Sequence, residues 1–158
     1  LGMADPHIML YSEYATFLGF DYGERNTGVA VGQRITGTAR GLETIRFTSQ
    51  KAFWDAVGRL VNDWQPTAFV VGMPYNPNPV EGEENPIIGL INQFRSELVD
   101  RFSRPAYLMD ETLSTKESRT IFYDTRKKKS VQFEDIKDEL AAQLILQTWL
   151  DHTAQEER

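Results

Sequence analysis

The chain has 158 residues, no cysteine, and two histidines, His7 and His152, near its two ends. That excludes disulfide scaffolds, thiolate metal sites and cysteine nucleophiles, leaves no central histidine for a catalytic triad, and limits the chain to about one domain. With 17 Lys+Arg against 23 Asp+Glu, the net charge of −6 argues against a generally electropositive nucleic-acid binder.

Residues 1–15 read as an extension ahead of the domain, with Met3 or Met9 as candidate starts. Phe17 to Phe20 is a short apolar run stopped by Asp21-Tyr22-Gly23, which predicts a buried strand ending in a turn. Gly28 to Gly32 follows as its hairpin partner, and Thr36 to Phe47 alternates loosely enough for a third, antiparallel strand. Ala52, Phe53, Ala56, Val57, Leu60, Val61 and Trp64 recur at helical spacing, so 50–64 is an amphipathic helix ended by Pro66. Ala68 to Val71 is a buried strand ended by Gly72, and 72–85 is a loop rich in Pro, Asn and Glu. Asn85-Pro86 opens the next helix, with Asn as cap and Pro at the first helical position.

Pro105 to Met109 is a further short strand. Ser114-x-x-Glu117 is a capping box for a helix to about Tyr123. Residues 124–130 form a basic loop centred on Arg126, Lys127, Lys128 and Lys129. Asp135 is placed to cap a last helix reaching about Leu150, and 152–158 reads as a C-terminal tail, polar and frayed from Gln155 to Arg158. Antiparallel strands followed by alternating helices and strands predict a single α/β domain over 16–151: a mixed sheet, antiparallel in strands 1–3 and parallel after them, flanked by helices. No run approaches the ~20 apolar residues of a membrane span, and no leader pattern is evident, so the expectation is a soluble, cytoplasmic protein.

Acidic residues fall at the ends of these elements. Asp21 ends the first strand, Asp110-Glu111 follows the strand from Pro105, and Asp138 shares a helical face with Ala141, Ala142, Ile145 and Trp149. Each alone also suits a turn or a helix start. Together, at the carboxyl edge of an α/β sheet where ligands collect, they imply a positive charge to neutralise them. Without Cys or a central His, a hard oxygen-bound cation, Mg²⁺ or Mn²⁺, suits the site. Carboxylates holding such ions are suited to phosphodiester hydrolysis.

With these residues in view, the sequence resembles the YqgF family, also called RuvX. Phe20-Asp21-Tyr22-Gly23-Glu24-Arg25 with Gly28-Val29-Ala30-Val31, then Val71-Gly72-Met73-Pro74-Tyr75-Asn76, then Asp110-Glu111-Thr112-Leu113-Ser114-Thr115, then Arg126–Lys129 with Lys137-Asp138 and Ala141-Ala142 resemble its motifs in order, over about 17–150. The resemblance implies a ribonuclease H-like fold. It also implies a nuclease acting on structured nucleic acid, either the 5′ end of precursor 16S ribosomal RNA or branched DNA at a Holliday junction. Asp21, Glu111 and Asp138 are then the catalytic, metal-holding carboxylates, and the loop with Gly72, Pro74 and Asn76 lies beside them. Asp110 and Asp135 are both candidates for a fourth carboxylate.

Two departures from the family pattern stand out: Thr112 where the family has Arg, a contact that Arg25 or Arg119 could replace, and a longer acidic stretch, Pro77 to Glu84. Arg25 and the 126–129 run are the expected contacts to the nucleic-acid backbone, with Arg34 as a possible extension. The absence of a strong dimer signal points to a monomer or weak homodimer. A phosphate-binding ATPase-like lobe, suggested by Asp21-x-Gly23 before a hairpin, and a non-catalytic nucleic-acid-binding module are the competing readings.

Overall fold

The computed structural model describes residues 10–74, 86–111, 124 and 133–156, with side chains of the last stretch described for 136–154. In chain order the elements are β1 (Thr16–Asp21), β2 (Asn26–Gln33), β3 (Thr38–Arg46), α1 (Gln50–Trp64), β4 (Ala68–Met73), α2 (Pro86–Phe102), β5 (Ala106–Asp110) and α3 (Phe133–Glu156). The strands form one sheet in the order β3-β2-β1-β4-β5. β2 runs antiparallel to β1 and to β3, while β1, β4 and β5 run parallel. This is the mixed sheet the element pattern predicts.

Alternation along each strand divides the side chains between two layers. Leu18, Phe20, Val29, Val31, Phe69 and Val71 pack with Phe53, Trp54, Val57 and Leu60 of α1 and with Ile91, Phe94 and Leu98 of α2. Phe17, Ala30, Val70 and Met109 face the other way, onto Ala142, Ile145, Leu146 and Trp149 of α3. The Ser49 hydroxyl accepts from the Ala52 N–H at 3.0 Å and starts α1. Gln65, in the left-handed region at φ 46°, closes it by donating its N–H to Val61 O, so the helix stops just before Pro66. Gly37, at φ 67°, turns the β2–β3 hairpin.

β3 departs from regular alternation. Val29 pairs with Glu43 but Ala30 with Gly41, so Leu42 is an extra residue, a β-bulge that reverses which face the rest of the strand presents.

Two boundaries correct the sequence reading. α3 begins at Phe133, which places Asp135 inside its first turn and not at the cap, and it continues past Leu150 to Glu156. The added length is anchored. The Thr153 hydroxyl donates to Trp149 O, and Arg34 donates to Thr153 Oγ1 and to Leu10 O. The Arg34 guanidinium also lies over the rings of Tyr11, Phe17 and Trp149. Arg34 therefore joins the chain before β1 to the end of α3 and does not extend a nucleic-acid surface. The expected helix from Ser114, the Asn85 cap and the basic run 126–129 lie outside the described residues.

Candidate active site

Asp21 is the last residue of β1, and strand alternation turns it to the α3 side, the side of Phe17 and Gly19. Its cross-strand partner on β2 is Gly28. A Cβ on Gly28 would collide with the backbone carbonyl of Asp138. Hydrogen at that position is what lets the second turn of α3 descend onto the strand beside Asp21. Asp138 itself is half-buried there.

On the other flank of β1, Phe20 pairs with Val71, so Gly72 of β4 lies beside Asp21. A Cβ on Gly72 would stand 3.1 Å from Glu111 Oε1 and against Ile145 of α3. Glu111 follows the end of β5 and is also half-buried. The chain thus brings together one carboxylate each from β1, from the end of β5 and from α3, and two glycines leave the room they occupy.

The electrostatics register that convergence. Burial first, then the negative charges of Glu111 and Asp138, push the Asp21 carboxyl from its usual 3.8 up to about 7. The Asp21 carboxyl is thus half-buried and flanked by two like charges. Among the described residues, no three His, Asp or Glu side chains already stand close enough to form a metal cage.

The other expected residues divide as follows. Asp110 pairs with Met73 at the end of β5, and alternation turns it to the α2 side, away from Asp21, Glu111 and Asp138. For Asp135 only the backbone, in the first turn of α3, is described. Gly72 and Pro74 lie at and just past the end of β4, whereas Asn76 is outside the described residues, as are Arg126, Lys127, Lys128 and Lys129. Arg25 is exposed in the β1–β2 turn, and its carbonyl accepts from the Phe47 N–H at 2.7 Å.

Sequence reasoning passed over Thr27. It is 1% exposed, its hydroxyl donates to Gly23 O at 3.2 Å, and it accepts from the Gly23 N–H at 3.4 Å. It fixes the turn that leaves Asp21. A hydroxyl residue four positions past a turn glycine, just ahead of the apolar run Val29–Val31, was the available signal.

A mixed sheet of this order, with a long helix crossing one face, defines a protein of the ribonuclease H-like fold class. Comparison with known proteins carries the assignment further. A family model described as "RuvX: Holliday junction resolvase" matches residues 15–152, and the chain belongs to that family. A relative from Methylococcus capsulatus, named "Putative pre-16S rRNA nuclease", is 51% identical over 138 residues, covering 87% of this chain and 89% of the relative. A relative of the same name from Klebsiella pneumoniae is 36% identical, covering 87% and 97%.

Among solved structures, Thermus thermophilus RuvC in complex with a Holliday junction substrate superposes with a TM-score of 0.54 at 16% identity, over 89% of this chain and 97% of that one. The yeast mitochondrial Holliday junction resolvase Ydc2 does so with a TM-score of 0.52 at 14% identity, over 94% and 84%. These two likenesses bear out the fold.

Proposed function

We propose that this chain is a divalent-metal-dependent endonuclease that processes the 5′ end of precursor 16S ribosomal RNA, working in the cytoplasm as a monomer or weak homodimer. The observation that carries the reading is the convergence of Asp21, Glu111 and Asp138, which drives Asp21 up to about 7. The 51% relative supports the RNA substrate.

The donor chemistry of the residues suits the cation, though their side chains stand apart in this structure. All three are hard oxygen donors, and their mutual repulsion is what a Mg²⁺ or Mn²⁺ ion relieves. Asp21, Glu111 and Asp138 would hold it. When bound, such an ion lowers the pKa of a water nucleophile and steadies the leaving oxygen.

The rest of the work belongs to the chain. Gly28 lets the α3 backbone at Asp138 sit down on β2, and Gly72 leaves room beside the Glu111 carboxylate. Thr27 fixes the turn after Asp21. Arg25, exposed in that turn, and the run Arg126–Lys129 meet backbone phosphates and place the substrate over the acids. Of the two fourth-carboxylate candidates, Asp135 is favoured over Asp110, because α3 carries it on the element that also brings Asp138. Among the described residues no helix is long and apolar enough to cross a membrane.

The family description favours a second substrate, a four-way DNA junction. Incubating the protein and Mn²⁺ with each substrate separates the two readings. Cleavage at the 5′ side of precursor 16S RNA, lost in Asp21→Asn and Asp138→Asn, is the expected result. Cleavage of junctions with the RNA left intact would replace it with the resolvase reading.

A further inference from the structure

The bulge in β3 places a cation on the carboxylate face that simple alternation assigns to the other one. Gly41 faces α3, since a Cβ on it would stand 3.2 Å from Glu139 O. Counting by twos from Gly41 would put Ile45 on that face and Arg46 on the opposite one. The extra residue at Leu42 reverses this. Ile45 is buried in the core under α1, and Arg46, paired with Asn26, faces the side of Gly28 and Asp138. Bulges re-aim side chains in this way, often beside active sites.

Arg46 is exposed, and among the described residues it makes no ion pair. It belongs to the same rim as Arg25, because the next residue, Phe47, donates its N–H to the Arg25 carbonyl. Asp21, Gly28 and Thr44 form one cross-strand row, and Arg46 is two residues further along β3. Two strand spacings and two residues of rise put its Cα about 12 Å from that of Asp21. A guanidinium spans part of that distance, so it reaches a phosphate neighbouring the one over the acids and not the scissile phosphate itself.

We propose that Arg46, re-aimed by the Leu42 bulge, is a substrate-positioning residue that holds the nucleic-acid backbone beside the scissile phosphate, on the β3 side of the site. The inference rests on the nuclease reading and names which way the backbone leaves the acids. Its effect is on binding, because Arg46 stands too far from Asp21 to touch the reacting atoms.

The test is fluorescence anisotropy of metal-free protein on a labelled RNA hairpin with a single-stranded 5′ flank, across about 50 to 200 mM KCl. Arg46→Ala is expected to weaken binding about threefold to tenfold at the lowest salt. It should also flatten the plot of log affinity against log salt by about 0.7 to 0.9, the share of one phosphate contact. Arg46→Lys should restore the slope. Arg40→Ala removes the same charge from the opposite face, where Arg40 lies over Trp64, and should match wild type. In cleavage assays the loss should appear in KM with kcat kept.

An Arg46→Ala slope equal to that of Arg40→Ala overturns the proposal and leaves the nuclease reading standing. Wild type that neither binds nor cuts the RNA or a four-way junction overturns both.

Discussion

The two faces of the sheet are built from different materials. Toward α1 and α2 the contacts are between large rings: Phe94 packs on Phe20, Tyr22, Phe53 and Trp54, with centroids 4.8 to 5.8 Å apart. Toward α3 the strands offer Gly19, Gly28, Gly32, Gly41 and Gly72, each touched by the helix. Bulky side chains hold α1 and α2 off the sheet and bury much apolar area, which is where stability comes from. Hydrogen-for-side-chain contacts let α3 lie against the strands closely enough for a backbone carbonyl to meet Gly28. The three acids gather on this second face. Placing like charges together opposes folding, so apolar packing on both faces, including Phe17 against Trp149 beside the acids, has to offset it.

The contrast is sharpest in substitutions that should separate stability from activity. Leu98→Ala removes a fully buried side chain of α2. It should lower stability by about 2–5 kcal/mol in urea melts, while kcat at a temperature where the variant stays folded remains within about twofold of wild type.

Asp21→Asn should do the reverse. The folded pKa of Asp21, about 7, lies above its usual 3.8, so the metal-free protein loses stability as pH rises through that window. Asparagine is expected to raise the melting temperature at pH 8 and to lose that advantage as pH falls toward 4. At about 1.4 kcal/mol per pKa unit the gain has a ceiling of about 4 kcal/mol. Equal melting curves at both pH values would mean that the acids do not repel one another as described.

Gly28→Ala is the smallest change in stability, about 1–3 kcal/mol from overpacking. Because it lifts Asp138 away from Asp21, it should lower activity more than about tenfold. Activity falling only in step with the unfolded fraction would make the Gly28 contact a packing detail.

How much of this was legible follows from the range of each signal. β1, β4 and the ends that carry Asp21 and Glu111 are short apolar runs stopped by turn residues, a local pattern. Asp138 was legible because helical spacing ties it to Ala142, Ile145 and Trp149, which do dock on the sheet. What could not be read depends on contacts distant in sequence. Gly28 looks like any strand glycine until Asp138 arrives over it. The loose alternation of 36–47 was visible, but its cause, the bulge at Leu42, appears only once Val29 and Ala30 choose their partners, and so the face of Arg46 stayed hidden. α3 outlasts its apolar pattern, to Glu156, because the tie from Thr153 to Arg34 spans the domain.

Net charge, too, depends on where the charges sit. A net charge of −6 includes the acids of the site itself, while Arg25 and Arg46 are exposed on the rim beside them.

On the proposed function, Asp21, Glu111 and Asp138 act together as one cation site. Calorimetric titration of Mn²⁺ into wild type and into Asp21→Asn, Glu111→Gln and Asp138→Asn tests it most directly. The account predicts saturable binding in wild type, with proton release near pH 7 as Asp21 ionises, and loss of that binding in each variant. Unchanged Mn²⁺ binding in all three variants would contradict it.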